Sequence, residues 1–276
     1  MKMQVVDVEG TQTRCVVAGE PGAPALFLLH GLALTAEVWL RNIDVLAKTH
    51  RVVAPDMLGH GFTKPATDGP VDIPAKVQHL RGLADALGID RLSLCGSSYG
   101  ALIASLFFFD NKSRVEKLVI NGSGSCFNTE EQLVSQVAKL YALYEPTLTQ
   151  STPEMWHDRI GNNFFDKSKV PVELLPIAAL CYSQPWAAPR WAETMAIMGN
   201  ADRFRPFRIL ERLEQITVPS LVVWGRDDKG GSLESATVAI ARMPKAQLVT
   251  FDECGHYPMI EHPAKYNKLV SDFLAT

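Results

Sequence analysis

Short apolar runs recur along the chain, separated by polar turns and by stretches with helical periodicity. The runs cover residues 3–8, 13–18, 25–29, 51–55, 91–95, 117–121, 220–224 and 247–251. The first two carry polar residues and predict a leading antiparallel hairpin, whereas the later runs are almost wholly apolar, as strands buried on both faces must be. Helical patterns such as 77–88 and 264–275 lie between the runs. This alternation predicts an α/β fold with a mostly parallel, eight-stranded sheet flanked by helices.

The alternation stops between about residues 126 and 208. This stretch has helical patterns and many aromatic residues but no credible strand. We therefore predict a core domain formed by 1–125 and 209–276, and a helical lid, here called the cap, formed by 126–208. A cap over the carboxyl ends of the strands would cover the place where open α/β sheets bind ligands. A satellite bundle elsewhere on the sheet is the alternative.

Composition excludes several kinds of partner. The chain is 47% hydrophobic and 21% charged with a net charge of −3, so it has no general attraction for nucleic acid. No apolar run approaches the roughly 20 residues needed to cross a membrane. The five cysteines form no Cys-x-x-Cys pair and the first residues lack a signal-peptide pattern, which favours reduced thiols in the cytoplasm. Whether the chain is a monomer or a homodimer stays open.

A serine lies between an apolar strand and an apolar helix. Gly96, Ser98 and Gly100 form a Gly-x-Ser-x-Gly elbow directly after the fifth run. In such an elbow the serine is held on a strained turn at the edge of the sheet, and glycines prevent clashes where strand and helix cross. We predict Ser98 as a nucleophile; a tight turn with an incidental serine is the alternative.

A serine hydroxyl needs a base and an acid that orients the base, in the chain order serine, acid, histidine. Asp227 and Asp228 follow the seventh apolar run, and His256 follows the eighth. Only one of the adjacent aspartates can point at His256. We predict Asp228, because its spacing from Gly225 matches the usual turn after this strand.

Two backbone N–H groups are needed to stabilise an oxyanion. The elbow provides that of Tyr99, and the turn after the third run, at His30-Gly31, is expected to provide that of Leu32. The loop 56–61 is interpreted as scaffold. No metal motif and no phosphate-binding glycine fingerprint is present, so we expect no metal and no cofactor.

These motifs occur in a fixed order: His30-Gly31, Asp56-x-x-Gly59-x-Gly61, Gly96-x-Ser98-x-Gly100, Gly225-x-x-Asp228 and Gly255-His256. In order and approximate spacing the chain resembles the α/β-hydrolase superfamily. The resemblance covers nearly the whole chain and implies a Ser98–Asp228–His256 triad. It says little about the substrate, because one fold hosts many chemistries.

Within that superfamily the stretches 84–104, 218–229 and 260–274 look most like those of meta-cleavage-product hydrolases. Those enzymes cut carbon–carbon bonds in vinylogous diketo acids made by aromatic ring fission, and a cap arginine helps bind the dienolate–carboxylate end. By this resemblance Arg190 is the best match for that arginine, and a surface or salt-bridged arginine is the alternative. Its neighbour Trp191, and Tyr257 directly after the histidine, are also expected to contact substrate.

The chain also departs from that group at several places. It lacks the glycine-rich loop after the third run, has Ser97-Ser98-Tyr99 instead of Asn-Ser-Met, and has Tyr257 instead of tryptophan; Lys229-Gly230-Gly231-Ser232 replaces an apolar pair and a proline.

The expected activity is that of a serine hydrolase that forms an acyl-enzyme with a small, partly apolar carbonyl substrate. Carbon–carbon hydrolysis is one form of this chemistry, and it needs an extra cation or proton donor, which Arg190 or His60 could provide. A carboxylesterase, lactonase or amidase is the alternative. An acyltransferase, a perhydrolase and a slow-turnover receptor are less favoured.

Overall fold

A computed structural model describes residues 1–66 and 69–276, without the side chains of 147–149. Its strands are β1 Lys2–Val8, β2 Thr11–Ala18, β3 Ala25–Leu29, β4 Arg51–Pro55, β5 Leu92–Ser97, β6 Val115–Asn121, β7 Ser220–Gly225 and β8 Ala246–Phe251. They form one sheet in the order β1-β2-β4-β3-β5-β6-β7-β8. Pairing is antiparallel from β1 to β2 and from β2 to β4, and parallel elsewhere. The predicted fold class is confirmed.

Helices cover the sheet and fill the long connection between β6 and β7. The α-helices are α1 Ile43–Leu46, α2 Ile73–Ala86, α3 Tyr99–Asp110, α4 Gly124–Phe127, α5 Glu130–Thr149, α6 Pro153–Gly161, α7 Leu174–Tyr182, α8 Ala187–Met198, α9 Ala201–Phe204, α10 Leu233–Ile240, α11 Pro258–Glu261 and α12 Pro263–Ala275. Short 3₁₀ turns are Ala36–Trp39, Lys112–Arg114, Lys167–Lys169, Arg205–Phe207 and Leu210–Gln215. None of the helices in the described residues is long and apolar enough to cross a membrane.

The burial of the strands follows from their position in the sheet. Every residue of the central strands β3, β5 and β7 is buried, because helices cover both faces there. The expectation that all later runs are buried on both faces is wrong for β8. That strand is an edge strand, and most of its residues are only half-buried.

The connection from β6 to β7 contains α4–α9 and, over residues 122–219, all of which are described, no strand. Its longest helix, α5, begins at a capping box in which the Thr129 hydroxyl accepts from the Gln132 N–H, and the Gln132 side chain accepts from the Thr129 N–H. Aromatic rings join the helices to one another: Tyr144 stacks on Trp191 at 5.9 Å, and Trp156 lies 4.8 Å from Tyr182.

Candidate active site

The turn between β5 and α3 holds Ser98 in a strained conformation, with φ 54° and ψ −116°. The flanking glycines have no room for a side chain. A Cβ on Gly96 would lie 2.5 Å from the backbone of Ala101, and one on Gly100 would lie 2.4 Å from the carbonyl oxygen of Leu29. The Ser98 N–H donates to the Asn121 carbonyl at 2.8 Å. The elbow is therefore held rigidly by the close approach of strand and helix.

At the ends of β7 and β8, an aspartate contacts a histidine. Both carboxylate oxygens of Asp228 lie 2.9 Å from Nδ1 of His256, and the two side chains are 1% and 8% exposed. Gly230 N–H donates to Oδ1 of Asp228 at 2.6 Å. Asp227 is exposed, and its carboxylate instead accepts from the Cys254 N–H at 3.3 Å. The structure thus brings Asp228, and not Asp227, to His256.

The contact with Asp228 sets both the tautomer and the charge balance of the histidine. A carboxylate can only accept, so Nδ1 carries the proton and Nε2 is left free to act as a base. Burial by itself lowers the pKa of His256. The charge and hydrogen bond of Asp228, with a further contribution from Glu261, outweigh burial, and the pKa is raised above its ordinary value.

Ser98 and His256 line the same narrow cavity, in which about 40 Å³ is open to the centre of a water-sized sphere. Its other walls are Gly31, Leu32, Leu34, Gln136, Leu140, Tyr144, Asn163, Trp191, Gly230 and Tyr257. Gln136, Leu140 and Tyr144 are spaced by four residues and share one face of α5. The cavity therefore lies between the carboxyl ends of the strands and the helices of the cap.

Of the three predicted substrate contacts, Trp191 and Tyr257 line this cavity and Arg190 does not. The Arg190 side chain, one position earlier on α8, donates to Glu193 at 3.2 Å. Its guanidinium thus has a partner outside the cavity.

The turn after β3 lies directly against the serine. A Cβ on Gly31 would be 3.4 Å from the Cβ of Ser98, and Leu32 lines the cavity beside it. His30, behind this turn, donates from Nδ1 to the Gly31 carbonyl at 2.8 Å and accepts at Nε2 from the Met57 N–H at 3.0 Å. These two hydrogen bonds hold the imidazole ring of His30 between the turn after β3 and the loop 56–61.

Tyr99 is the first residue of α3, so its N–H has no acceptor within the helix. Its ring does not line the cavity. It is buried against His60, with 6.2 Å between ring centroids, and beneath the Lys76 ammonium at 6.0 Å. Burial and the Lys76 charge lower the pKa of His60 well below its ordinary value, so this histidine is a neutral packing group.

A buried ion network supports the loop 30–36 that follows β3, and of its members the sequence analysis had considered only Asp56, in the loop 56–61 interpreted as scaffold. Asp56 accepts from the Ala36 N–H at 2.9 Å, from the Phe62 N–H at 3.0 Å and from Arg14 at 3.0 Å. Arg14 also pairs with the buried Glu37. Neither Arg14 nor Glu37 lies in a sequence pattern that distinguishes it from a surface residue.

Sequence reasoning also missed the cap residues that reach the loops carrying Asp228 and His256. The Gln136 side chain donates to the Gly230 carbonyl, and the Asn163 carbonyl accepts from the His256 N–H at 2.7 Å. No local signal marks either residue, because Gln136 lies within α5 and Asn163 in the loop after α6, each far in sequence from its partner. Within 1–66 and 69–276, no group of three or more His, Cys, Asp or Glu side chains could hold a metal ion.

Comparison with known proteins adds a family to this geometry. Residues 24–263 match the family model described as the alpha/beta hydrolase fold. The chain is 31% identical to 2-hydroxy-6-oxononadienedioate/2-hydroxy-6-oxononatrienedioate hydrolase 1 of Dechloromonas aromatica, over 92% of this chain and 87% of that protein. It is 33% identical to the 2-hydroxymuconate semialdehyde hydrolase of Pseudomonas sp. strain CF600, over 91% and 86%. The meta-cleavage product hydrolase of Pseudomonas fluorescens IP01 superposes with a TM-score of 0.81 at 26% identity, over 99% and 97%.

Proposed function

We infer the function of this chain from its family: it is a hydrolase that belongs to the α/β-hydrolase fold family. In this chain we propose that Ser98, His256 and Asp228 act as a catalytic triad. The observation that carries this inference is the 2.9 Å contact of Asp228 with His256 beside a cavity that both His256 and Ser98 line. A carboxylate that orients a histidine, and a strained serine at a helix N-terminus, are the parts that acyl transfer needs.

The proposed reaction has two halves. Nε2 of His256 takes the Ser98 proton as the serine oxygen attacks the substrate carbonyl, and the N–H groups of Leu32 and Tyr99 stabilise the resulting oxyanion. The leaving group departs with a proton from His256 and an acyl-enzyme remains. A water activated by the same histidine then releases the acid and restores the serine.

For the substrate we propose a carbonyl compound with an apolar part, and the family relationship favours a ring-fission product cleaved at a carbon–carbon bond. The relatives at 31% and 33% identity are named as hydrolases of such compounds. Leu140, Tyr144 and Trp191 supply apolar walls on the cap side. We propose residues 126–208 as a lid that must move to admit such a substrate, because 40 Å³ holds only a few waters.

Hydrolysis of an ester, lactone or amide is the second candidate, and one observation favours it. No lysine or arginine is among the described residues that line the cavity, and Arg190 is paired with Glu193. An ester leaves as an alcohol that His256 can protonate directly, whereas a carbanion leaving group needs a further proton donor or cation.

The test compares two substrates on one enzyme preparation: a short-chain p-nitrophenyl ester and a yellow ring-fission dienolate whose colour fades on cleavage. A much larger kcat/KM for the dienolate is expected for a carbon–carbon hydrolase, and turnover of the ester alone supports the second candidate. The Ser98→Ala variant is the control for both. It should lose turnover and also labelling by a fluorophosphonate, and labelling that persists would overturn the assignment of the nucleophile.

A further inference from the structure

A buried carboxylate that the proposed reaction does not use lies behind the loop 252–257, which carries His256 and is here called the histidine loop. Glu261, at the end of α11, is 6% exposed. It accepts from the Gly255 N–H at 3.0 and 3.1 Å and from the Tyr257 N–H at 3.2 Å. These donors are the residues immediately before and after His256. The backbone on both sides of the histidine is therefore tied to one side chain.

The same carboxylate also binds the cap. Its second oxygen accepts from the Phe165 N–H at 2.9 Å, in the loop after α6. In the described part of the chain no lysine, arginine or histidine forms a salt bridge with Glu261. Its carboxylate accepts from backbone N–H groups of the two loops, and the Cys254 thiol lies 3.9 Å from Oε1. Glu261 is thus a joint between the histidine loop and the cap loop 162–165.

The histidine itself completes this joint. Its N–H donates to the Asn163 carbonyl at 2.7 Å. Gly255 packs so closely on the cap loop that a Cβ there would lie 2.3 Å from that carbonyl oxygen and 2.8 Å from the Phe165 nitrogen. The loop therefore has little freedom to shift while the cap loop stays where it is.

We propose that Glu261 is a positioning residue, which fixes the backbone around His256 against cap loop 162–165 and thereby aligns the base. This deepens the proposed function and rests on it, since it takes His256 to be the general base. A misplacement of the base by about 1 Å costs on the order of a hundredfold in rate. Contacts that hold the backbone on both sides of His256 should therefore contribute measurably to the rate of turnover.

The joint also has an electrostatic consequence that a purely structural contact would not have. Among the described residues, the titratable groups that contact the His256 ring or residues 254–257 of its loop are Asp228, Glu261, Tyr257, Cys254 and Asp227. Burial lowers the pKa of His256, and the charges of Asp228 and Glu261 raise it. Loss of the Glu261 charge should therefore lower this pKa, and the acid limb of activity should move to lower pH.

The experiment measures the pH profile of kcat/KM for the full-length enzyme with a p-nitrophenyl ester. Glu261→Gln keeps the shape of the side chain but removes its charge and turns one oxygen into a donor that faces an N–H. We expect its acid limb at lower pH and its plateau kcat/KM reduced on the order of tenfold. Glu261→Asp keeps the charge but shortens the reach. We expect its acid limb unchanged and its plateau reduced.

Glu253→Gln is the matched control, because Glu253 is exposed on the approach to the same loop and should leave both quantities unchanged. Thermal unfolding shows which variants are folded. A folded Glu261→Gln with a wild-type acid limb would overturn the proposal even if it unfolds at lower temperature. If that variant does not fold, a folded Glu261→Asp with wild-type kcat/KM would overturn it. Full activity of His256→Ala would instead refute the proposed function.

Discussion

Replacing Asp228 by asparagine changes one atom of the site and tests the whole assignment of acid and base. The Gly230 N–H, 2.6 Å from Oδ1, requires an acceptor, so the amide oxygen of the asparagine should take that place. The amide oxygen, also 2.9 Å from Nδ1 of His256, carries no charge and already accepts from Gly230, and the NH₂ group occupies the position of Oδ2, 2.9 Å from Nδ1. There it opposes the proton on Nδ1 and favours the tautomer with the proton on Nε2, which cannot accept one from Ser98.

The expected loss in kcat/KM for Asp228→Asn is on the order of a thousandfold to ten-thousandfold. This corresponds to roughly 4 to 5 kcal/mol of transition-state stabilisation. The carboxylate is 1% exposed, so water has little access to replace the lost acceptor. The assay is steady-state hydrolysis of an ester, with the rate of fluorophosphonate labelling as an independent measure of Ser98 reactivity.

The neighbouring aspartate provides the control. Asp227 is exposed and accepts one N–H at 3.3 Å, a contact that an amide oxygen can also make. Asp227→Asn should therefore stay within about threefold of the wild type. Equal losses in the two variants, or a folded Asp228→Asn that retains most of its activity, would refute the assignment of Asp228.

Three further results are expected. In Gly230→Ala the new Cβ would lie 2.7 Å from Nδ1 of His256 and 3.1 Å from Oδ1 of Asp228. We expect kcat/KM to fall on the order of a hundredfold, while thermal unfolding shows an intact fold. Wild-type kinetics would contradict this prediction. Because the pKa of His256 is raised and the base must be neutral, kcat/KM of the wild type should rise with pH through a pKa above the ordinary histidine value, and a limb below that value would count against the triad. The stabilising ion pair of His256 with Asp228 is present at low pH and is lost as pH rises through the same pKa. Lys76 is 2% exposed, and burial lowers its pKa to about 7, so the cost of burying its charge is greatest below that pH and decreases as pH rises toward the pKa of a free lysine. Lys76→Met should therefore raise the unfolding temperature more at pH 6 than at pH 9. A variant that unfolds at a lower temperature than the wild type at pH 6 would show that the hydrogen bond of Lys76 to the Val71 carbonyl matters more.

The core of the molecule was predictable because its signals are local. Five consecutive residues encode the elbow, and the apolar runs before Asp228 and His256 are strands that pair as neighbours, β7 with β8. Parallel neighbours bring the residues after their carboxyl ends to one edge of the sheet. Two positions that are 28 residues apart could therefore be placed together from the order of strands alone.

The cap was less predictable because helical periodicity states which residues share a face but not what that face contacts. Arg190 and Trp191 are adjacent on α8, yet only the tryptophan lines the cavity. The arginine is instead paired with Glu193, one turn further along the helix. Which of two neighbouring residues points inward depends on how α8 packs on α5, and that packing leaves no pattern in a single sequence.

The contacts of Glu261 also show which part of the site a single sequence does not reveal. Its bonds to Gly255 and Tyr257 are local, and a glutamate five residues after a histidine could be suspected of contacting its loop. Its bond to Phe165 spans 96 residues and crosses from core to cap, so only the folded chain shows it. In the proposed triad, the sheet edge thus brings Asp228 and His256 together beside the elbow of Ser98, and contacts from the cap loop hold the backbone around His256. Substitutions in α5 and α8 should then mainly change which substrate fits, whereas substitutions in the 162–165 loop should change the rate with every substrate.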